Sequence, residues 1–183
     1  MKPGQNITDT LKATIAVVAV VLVAVAGIQL YVTLTTDTQR GIYNFLEFAS
    51  DLHDDIDAEF FEVNVKKLAA TISAPNLEDS EAVALEISHG VFMTNAYRES
   101  FFDLMSVTDE TLELKNDLLK EGGSFLTSYN HLREALNNSI KADLNSRDTS
   151  LQKALAKIEE AVSLRSQNAT RIKQWLAEME LKG

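Results

Sequence analysis

The sequence predicts an all-α protein, with a single N-terminal transmembrane helix that continues into an extracytoplasmic, up-down antiparallel four-helix bundle. Its 183 residues include only 7 Gly and 2 Pro, too few for the turn-rich pattern of a β-sandwich or β-barrel. After residue 34, apolar side chains recur every three or four positions, which is the spacing of one helix face. Before that point lies a long stretch without any charge, which sets the first element apart from the others.

The first element is the predicted transmembrane helix at 13–34. Its 22 residues carry no charge, and they span roughly 33 Å at 1.5 Å per residue, about the thickness of the hydrocarbon core of a bilayer. Lys2 and Lys12 precede it against Asp9 alone, whereas acids dominate the residues that follow. The positive-inside bias therefore predicts a single-pass inner-membrane protein with residues 1–12 in the cytoplasm and 35–183 in the periplasm or outside the cell.

A cleaved signal peptide is the main alternative for this segment, because Ala24-Val25-Ala26 offers a small-residue cleavage site after an apolar stretch. The apolar character continues past that site to Leu34, which favours an uncleaved anchor. A type IV pilin leader is disfavoured, because Lys12 interrupts the run that a pilin would keep apolar.

The first two helices of the bundle are predicted at about 35–73 and 77–106. The first ends before Pro75, since the residue that precedes a proline is pushed out of the α region. Asn76, with Asp79 three residues later, offers a cap for the second helix. The predicted apolar face of the first helix is Ile42, Phe45, Ala49, Leu52, Ile56, Phe60, Val63, Leu68 and Ile72. That of the second is Val83, Ile87, Val91, Phe101, Phe102 and Met105.

The third helix is predicted at 109–145. Two positions compete for the turn that precedes it, Thr108 and the pair Gly122-Gly123. The turn is placed near Thr108, because the apolar spacing then runs through both glycines without losing register and the helix lengths keep the charged C-terminal end outside the bilayer. The stripe is Leu114, Leu118, Gly122, Phe125, Tyr129, Leu132, Leu136, Ile140 and Leu144.

The fourth helix is predicted at 148–182, after a turn at 145–148 in which Asp148 or Ser146 would act as the cap. Its apolar positions alternate steps of four and three, as in a coiled-coil seam. The seam is Leu151, Leu155, Ile158, Val162, Arg165, Ala169, Ile172, Leu176 and Met179. Arg165 is the one charged residue in it.

The net charge of −10, from 17 Lys plus Arg and 27 Asp plus Glu, disfavours nucleic acid as a partner, because such binding depends on neutralising phosphates. The charge is uneven. Residues 36–121 hold 19 acids and 6 bases, whereas residues 122–183 hold 7 acids and 9 bases. The two halves are therefore expected to attract each other, within one bundle or between chains.

Candidate catalytic and metal-binding patterns are weak. Glu86 and His89 have the spacing of a di-metal bundle motif, but the sequence offers no second copy. His53 and Asp57 lie one turn apart in an acidic segment whose carboxylates surround the helix, which favours a solvated face. The chain contains no Cys and no phosphate-binding loop, dinucleotide fingerprint or nucleophile elbow. We therefore predict no enzyme, no cofactor and no metal.

Arg98 and Arg165 both interrupt apolar seams, and a seam arginine is costly to bury unless an anion meets it. One interpretation is an internal carboxylate, such as that of Glu99 or Glu47, or a long stem that reaches water. The other is a bound small organic anion, inside one bundle or across a dimer interface. The candidate ligand-binding residues are then Arg98, Arg165, Thr94 and Tyr97.

A short cytoplasmic N-terminus, one span that runs into the first helix, and an acidic four-helix exported bundle together resemble the sensory module of bacterial chemoreceptors and sensor kinases. The resemblance is architectural and rests on no specific motif. In that family the last helix enters a second span, which this sequence is not expected to do. Two hypotheses follow: an interaction or scaffold subunit of an envelope complex, or a sensory bundle for a small anion. The expected partners are the lipid bilayer and a second copy or a helical membrane protein.

Overall fold

The computed structural model describes residues 34–54, 58–74 and 79–181. Every regular element within these ranges is an α-helix, so the predicted all-α class is confirmed for this part of the chain. Apart from its last residue, the predicted transmembrane segment 13–34 lies outside the described residues. Among the helices that are described, none combines the length and the apolar character that a bilayer crossing requires.

The chain divides into two compact units, Met1–Gly41 and Ile42–Gly183. In the first unit, residues 34–41 are helical, and the Thr38 hydroxyl donates a hydrogen bond to the Leu34 carbonyl at 2.9 Å. The described residues of the second unit form five helices, α1 (42–54), α2 (Ala58–Ser73), α3 (Ser80–Phe102), α4 (Asp109–Ile140) and α5 (Leu144–Glu180).

The start of each of the last three helices is fixed by a side-chain cap. Asp79 accepts a hydrogen bond from the Ala82 amide at 2.9 Å and begins α3. Thr108 and Thr111 exchange side-chain to backbone hydrogen bonds as a capping box at the start of α4. Such caps satisfy amides that have no partner inside the helix. The turn between α3 and α4 therefore lies just before Thr108, and α4 is continuous through Gly122 and Gly123.

The turn between α4 and α5 lies earlier than the sequence indicates. Asp143 caps α5 by accepting from the Ser146 amide at 3.1 Å, so the predicted turn at 145–148 lies inside the helix. Ala142 makes the early turn possible, because its φ of 58° reverses the chain immediately after α4. Backbone bonds from Ala142 to Ser139 at 3.0 Å and from Asp143 to Asn138 at 2.9 Å close the end of α4.

Replacing Ala142 by glycine is expected to raise the free energy of unfolding by about 0.5–1 kcal/mol, since a left-handed conformation penalises any residue with a Cβ. Urea unfolding followed by helical circular dichroism measures the change. Ala156→Gly is the matched control, because Ala156 is exposed in the interior of α5 and its replacement is expected to cost about 1 kcal/mol. Equal effects of the two variants would contradict the prediction.

Helices α3 and α4 run antiparallel, and so do α4 and α5, in which Asp117 meets Arg171 and Glu121 meets Asn168. Gly90 of α3 meets Tyr129 of α4, and Arg98 of α3 meets Gly122, so the two helices are traversed in opposite directions. Among α2, α3, α4 and α5, the pairing of α4 with α5 is the most extensive, while α2 packs on α5 and α4 and touches α3 less. Buried small residues permit a close approach of α4 and α5. They are Ser124, Ser128 and Ala135 on α4 and Ala154 and Ala161 on α5.

An aromatic cluster fills the core where α2, α3 and α4 meet. Phe61 packs on Phe125 with ring centroids 5.1 Å apart, and it meets the edge of Tyr129 at 6.3 Å. Tyr97 packs edge-to-face on Phe101 at 4.9 Å. All five rings are almost completely buried. Tyr97 also belongs to a polar cluster, so the aromatic core leads directly into the candidate site.

Candidate functional site

Five polar side chains from four helices meet inside the second unit, and we refer to them as the Glu121 cluster. They are His53 of α1, Tyr97 of α3, Glu121 of α4, and Arg165 and Asn168 of α5. Glu121 is at the centre, with a side chain that is 0% exposed. A carboxylate buried to this extent is stable only if charged and hydrogen-bonding partners surround it.

Both carboxylate oxygens of Glu121 accept short hydrogen bonds. The Tyr97 hydroxyl donates to Oε1 at 2.5 Å, and Asn168 Nδ2 donates to Oε2 at 2.8 Å. His53 Nε2 lies 3.4 Å from Oε2, a distance that suits an electrostatic contact better than a well-formed hydrogen bond. The carboxylate is thus held from three helices at once.

Arg165 connects the cluster to the backbone. Its Nη1 lies 3.1 Å from the Tyr97 hydroxyl and 3.4 Å from Glu121 Oε1, and its Nη2 donates to the His53 carbonyl oxygen. The guanidinium carbon lies 5.9 Å from the centroid of the Tyr97 ring, within the range of a cation–π contact. The positive charge therefore has its counter-charge inside the protein.

The environment of the cluster favours an ionised carboxylate and a neutral phenol. Burial by itself would raise the pKa of Glu121, but contacts with His53, Tyr97 and Asn168 outweigh it and hold that pKa below its ordinary value. Burial, reinforced by the charge of Glu121, raises the pKa of Tyr97 well above its ordinary range. Tyr97 is therefore a protonated hydrogen-bond donor at physiological pH.

Lowering the pH is expected to reduce the free energy of unfolding, because the contribution of ionised Glu121 is lost. Its folded-state pKa is lowered, so its contribution to the free energy of unfolding is complete above the ordinary carboxyl pKa and is lost as the pH falls through the folded-state pKa. Urea unfolding between about pH 7 and about pH 3 measures this loss, and Glu121→Gln isolates it from that of exposed acids. The variant is expected to have a smaller pH dependence than the wild type; equal pH dependence would count against this assignment.

Tyr97 and Tyr129 form a matched pair of buried phenols with opposite expected behaviour. Tyr97→Phe removes a donor from Glu121 and is expected to lower the free energy of unfolding by about 1–3 kcal/mol. The hydroxyl of Tyr129 is buried and has no hydrogen-bond partner among the described residues, so Tyr129→Phe is expected to leave stability unchanged or to raise it. Thermal and urea unfolding of the two variants measure the contrast, and a larger loss at Tyr129 would refute it.

The structure brings together two of the four predicted ligand-binding residues. Tyr97 and Arg165 are in contact within the Glu121 cluster. The Thr94 hydroxyl is buried and donates within its own helix, with the Gly90 carbonyl 2.8 Å away. Arg98 is half-buried, its guanidinium lies 5.3 Å from the centroid of Phe102, and it has no ion pair within the described residues. Tyr97 and Arg165 thus belong to one cluster, whereas Arg98 contacts Phe102 and Gly122.

Among the described residues, Glu121 is a carboxylate that meets Arg165, whereas Glu99 and Glu47, the two acids expected from the sequence, lie exposed. Glu121 was missed because the predicted stripe of the third helix includes its neighbour Gly122. The sequence nevertheless contains a pattern that indicates burial of position 121, since this position also continues the three-and-four spacing from Leu118 to Phe125. An acid at such a position, facing a seam arginine, is the pattern of a buried ion pair.

The weak metal patterns do not converge in the described part of the chain. His53 contacts Glu121, while Asp57 lies outside the described residues. Glu86 lies 3.6 Å from Lys67 of α2 rather than pairing with His89. Across residues 34–54, 58–74 and 79–181, no group of three or more His, Asp or Glu side chains is arranged to hold a metal ion.

A second feature is the apolar outer face of α3, which comprises Leu85, His89, Phe92 and Ala96 and which we name the α3 outer face. Leu85 is 73% exposed and Phe92 is 68% exposed. At 100° per residue these positions lie opposite the buried side of the helix, which includes Ile87. The helix therefore presents apolar side chains both to the core and to solvent.

The chain was compared with models of known protein families, with curated proteins and with solved structures, and no match was found.

Proposed function

We propose that this protein is a non-enzymatic, single-pass membrane protein whose extracytoplasmic helical domain acts as an interaction or scaffold subunit of an envelope complex. The uncharged segment 13–34 and the basic residues before it support the anchor and its orientation. The antiparallel helices of the second unit support an up-down bundle as the exported domain. A second copy or a helical membrane protein is the proposed class of partner.

The observation that carries the proposal is the exposure of the α3 outer face. Two large apolar side chains, Leu85 and Phe92, lie two turns apart on the same side of one helix. A solvated helix normally places polar residues opposite its core side, so two large apolar side chains on that side favour contact with another protein. The Glu121 cluster, by contrast, is closed and internally neutralised, as expected of a structural element.

Site-specific photo-crosslinking in native membranes tests the interaction. A photo-reactive amino acid is introduced at Phe92, and the same substitution at Gln152, an exposed position on α5, is the control. The proposal expects a crosslinked species of higher mass from position 92 that is absent from position 152. Recovery of the monomer alone from both positions would refute the interaction role.

The absence of cysteine from the chain allows a clean test of the proposed orientation. A single cysteine is introduced at Asn145, which is exposed near the start of α5, and a membrane-impermeant thiol reagent is applied to intact cells. Labelling before lysis is expected for an extracytoplasmic domain. Labelling only after lysis would contradict both the orientation and the envelope assignment.

The second candidate function is a chemoreceptor-like sensory bundle that binds a small organic anion. Tyr97 and Arg165 are in contact, as that hypothesis needs, but an anion would have to displace Glu121 from Arg165 or bind at Arg98 alone. Calorimetry of the full-length protein with a panel of organic acids tests this candidate. Saturable binding that is lost in both Arg98→Ala and Arg165→Ala would favour it over the scaffold role.

A further inference from the structure

We propose that the α3 outer face docks a helix from another protein that carries lysine or arginine beside its apolar residues. This inference rests on the proposed function and specifies its partner. The face is narrow and follows the helix axis, with Leu85 and Phe92 about 10 Å apart. A partner helix lying alongside α3 would place its own apolar residues, spaced by three, four or seven positions, against these two side chains.

The charges around the α3 outer face define the chemistry of the partner. Glu81, Glu99 and Asp103 are exposed along the same side of the helix, and their side chains form no ion pair within the part of the chain that the structure describes. No Lys or Arg lies on this face, since Arg98 is turned toward Phe102 and Gly122. Cations that flank the apolar residues of a partner would neutralise these carboxylates.

The same carboxylates disfavour two other partners for this face, a second copy of the chain and an anionic lipid surface. A second copy docked through its own α3 outer face would bring two sets of three carboxylates together without a Lys or Arg between them, and like charges across an interface are costly. An anionic lipid surface would be repelled for the same reason. The Glu86 side of the helix is not involved, because Glu86 already forms an ion pair with Lys67 at 3.6 Å.

Two synthetic peptides test the charge requirement directly on the full-length protein in zwitterionic lipid nanodiscs. Both are helix-forming and share the same leucine positions; one carries lysine at its polar positions and the other carries glutamate. A photo-reactive amino acid at Phe92 reports docking as a covalent adduct, and one at Gln152 is the control for non-specific contact. The lysine peptide is expected to give about tenfold more adduct than the glutamate peptide at position 92, equivalent to about 1.4 kcal/mol.

The carboxylates are tested in the combined variant Glu81→Gln, Glu99→Gln and Asp103→Asn, which leaves the apolar residues in place. The yield with the lysine peptide is expected to fall several-fold in this variant, and also when salt is raised to about 0.5 M. Equal yields from the two peptides, or a yield that the variant does not change, would overturn the inference.

The outcome separates this inference from the proposed function on which it rests. In native membranes, a crosslink from position 92 to a second copy, or to a segment without lysine or arginine, would overturn the basic partner while leaving the interaction role intact. A crosslink to a helical segment in which apolar residues alternate with basic ones, combined with the peptide selectivity, would support both. The absence of any crosslink from position 92 would refute the proposed function itself.

Discussion

Replacement of Glu121 by alanine is expected to lower the free energy of unfolding by about 3–5 kcal/mol, the cost of breaking a buried ion pair on one side. The side chain is 0% exposed and lies 3.4 Å from the guanidinium of Arg165. Its removal takes away the carboxylate that faces this guanidinium and the acceptor of Tyr97 and Asn168. Because these partners lie on α3 and α5 while Glu121 lies on α4, the loss is expected to affect the packing of three helices rather than one end of the unit.

Urea unfolding of the full-length protein in detergent micelles, followed by circular dichroism, measures this loss. Glu159→Ala is the matched control, since Glu159 is exposed on α5 and its removal is expected to change stability by no more than about 0.5 kcal/mol. The double replacement of Glu121 and Arg165 by leucine is expected to recover much of the stability, because neither charge then remains buried. A change at Glu121 no larger than that at Glu159 would mean that the cluster does not hold the helices together.

Replacement of Gly90 by alanine is expected to destabilise the protein by about 1–3 kcal/mol, through overpacking of the core. A Cβ at this position would lie 2.1 Å from the Tyr129 Cε1 atom and 2.4 Å from its Cζ atom. The ring of Tyr129 is completely buried and also contacts Phe61, so it has little room to move. The backbone of α3 and α4 would have to separate.

Gly123→Ala is the matched control for Gly90→Ala. Apart from its chain neighbours and the backbone of its own helix, an added Cβ at Gly123 meets no atom of the described residues within 4 Å, so the better helix propensity of alanine is expected to raise stability by about 1 kcal/mol. The two substitutions are chemically identical and differ only in their surroundings. The additional replacement Tyr129→Leu is expected to restore part of the stability of Gly90→Ala, and a failure to do so would show that the ring is not the source of the effect.

The Glu121 cluster and the α3 outer face are connected through α3. Tyr97 fixes the rotation of this helix by its bond to Glu121, and Gly90 fixes its distance from α4. With the buried side held in this way, Leu85 and Phe92 are directed to solvent. A substitution in the cluster is therefore expected to weaken docking indirectly, whereas substitutions on the outer face leave the fold intact.

The helices themselves follow from the sequence, since the periodicity and the scarcity of glycine and proline act locally along the chain. The turn near Thr108 and the passage of α4 through Gly122 and Gly123 were predicted in this way and agree with the structure. Local rules were less successful at the start of α5, because a left-handed alanine at Ala142 is not expected from propensity.

Which residue of each turn faces the core was decided by the tertiary structure. The sequence favours Phe60 and Val63 on the buried face of the first helix, but both are exposed, while Phe61 and Val65 are buried. On α4, Gly122 is buried as predicted, and its neighbour Glu121 is buried as well. A helix turns by 100° per residue, so two neighbouring stripes fit the spacing equally well, and only the partners across the interface select one of them. The sequence by itself thus determined the helices, the charge asymmetry and the need of Arg165 for an anion. The packed helices alone determined that the anion is Glu121, because its ligands come from distant parts of the chain.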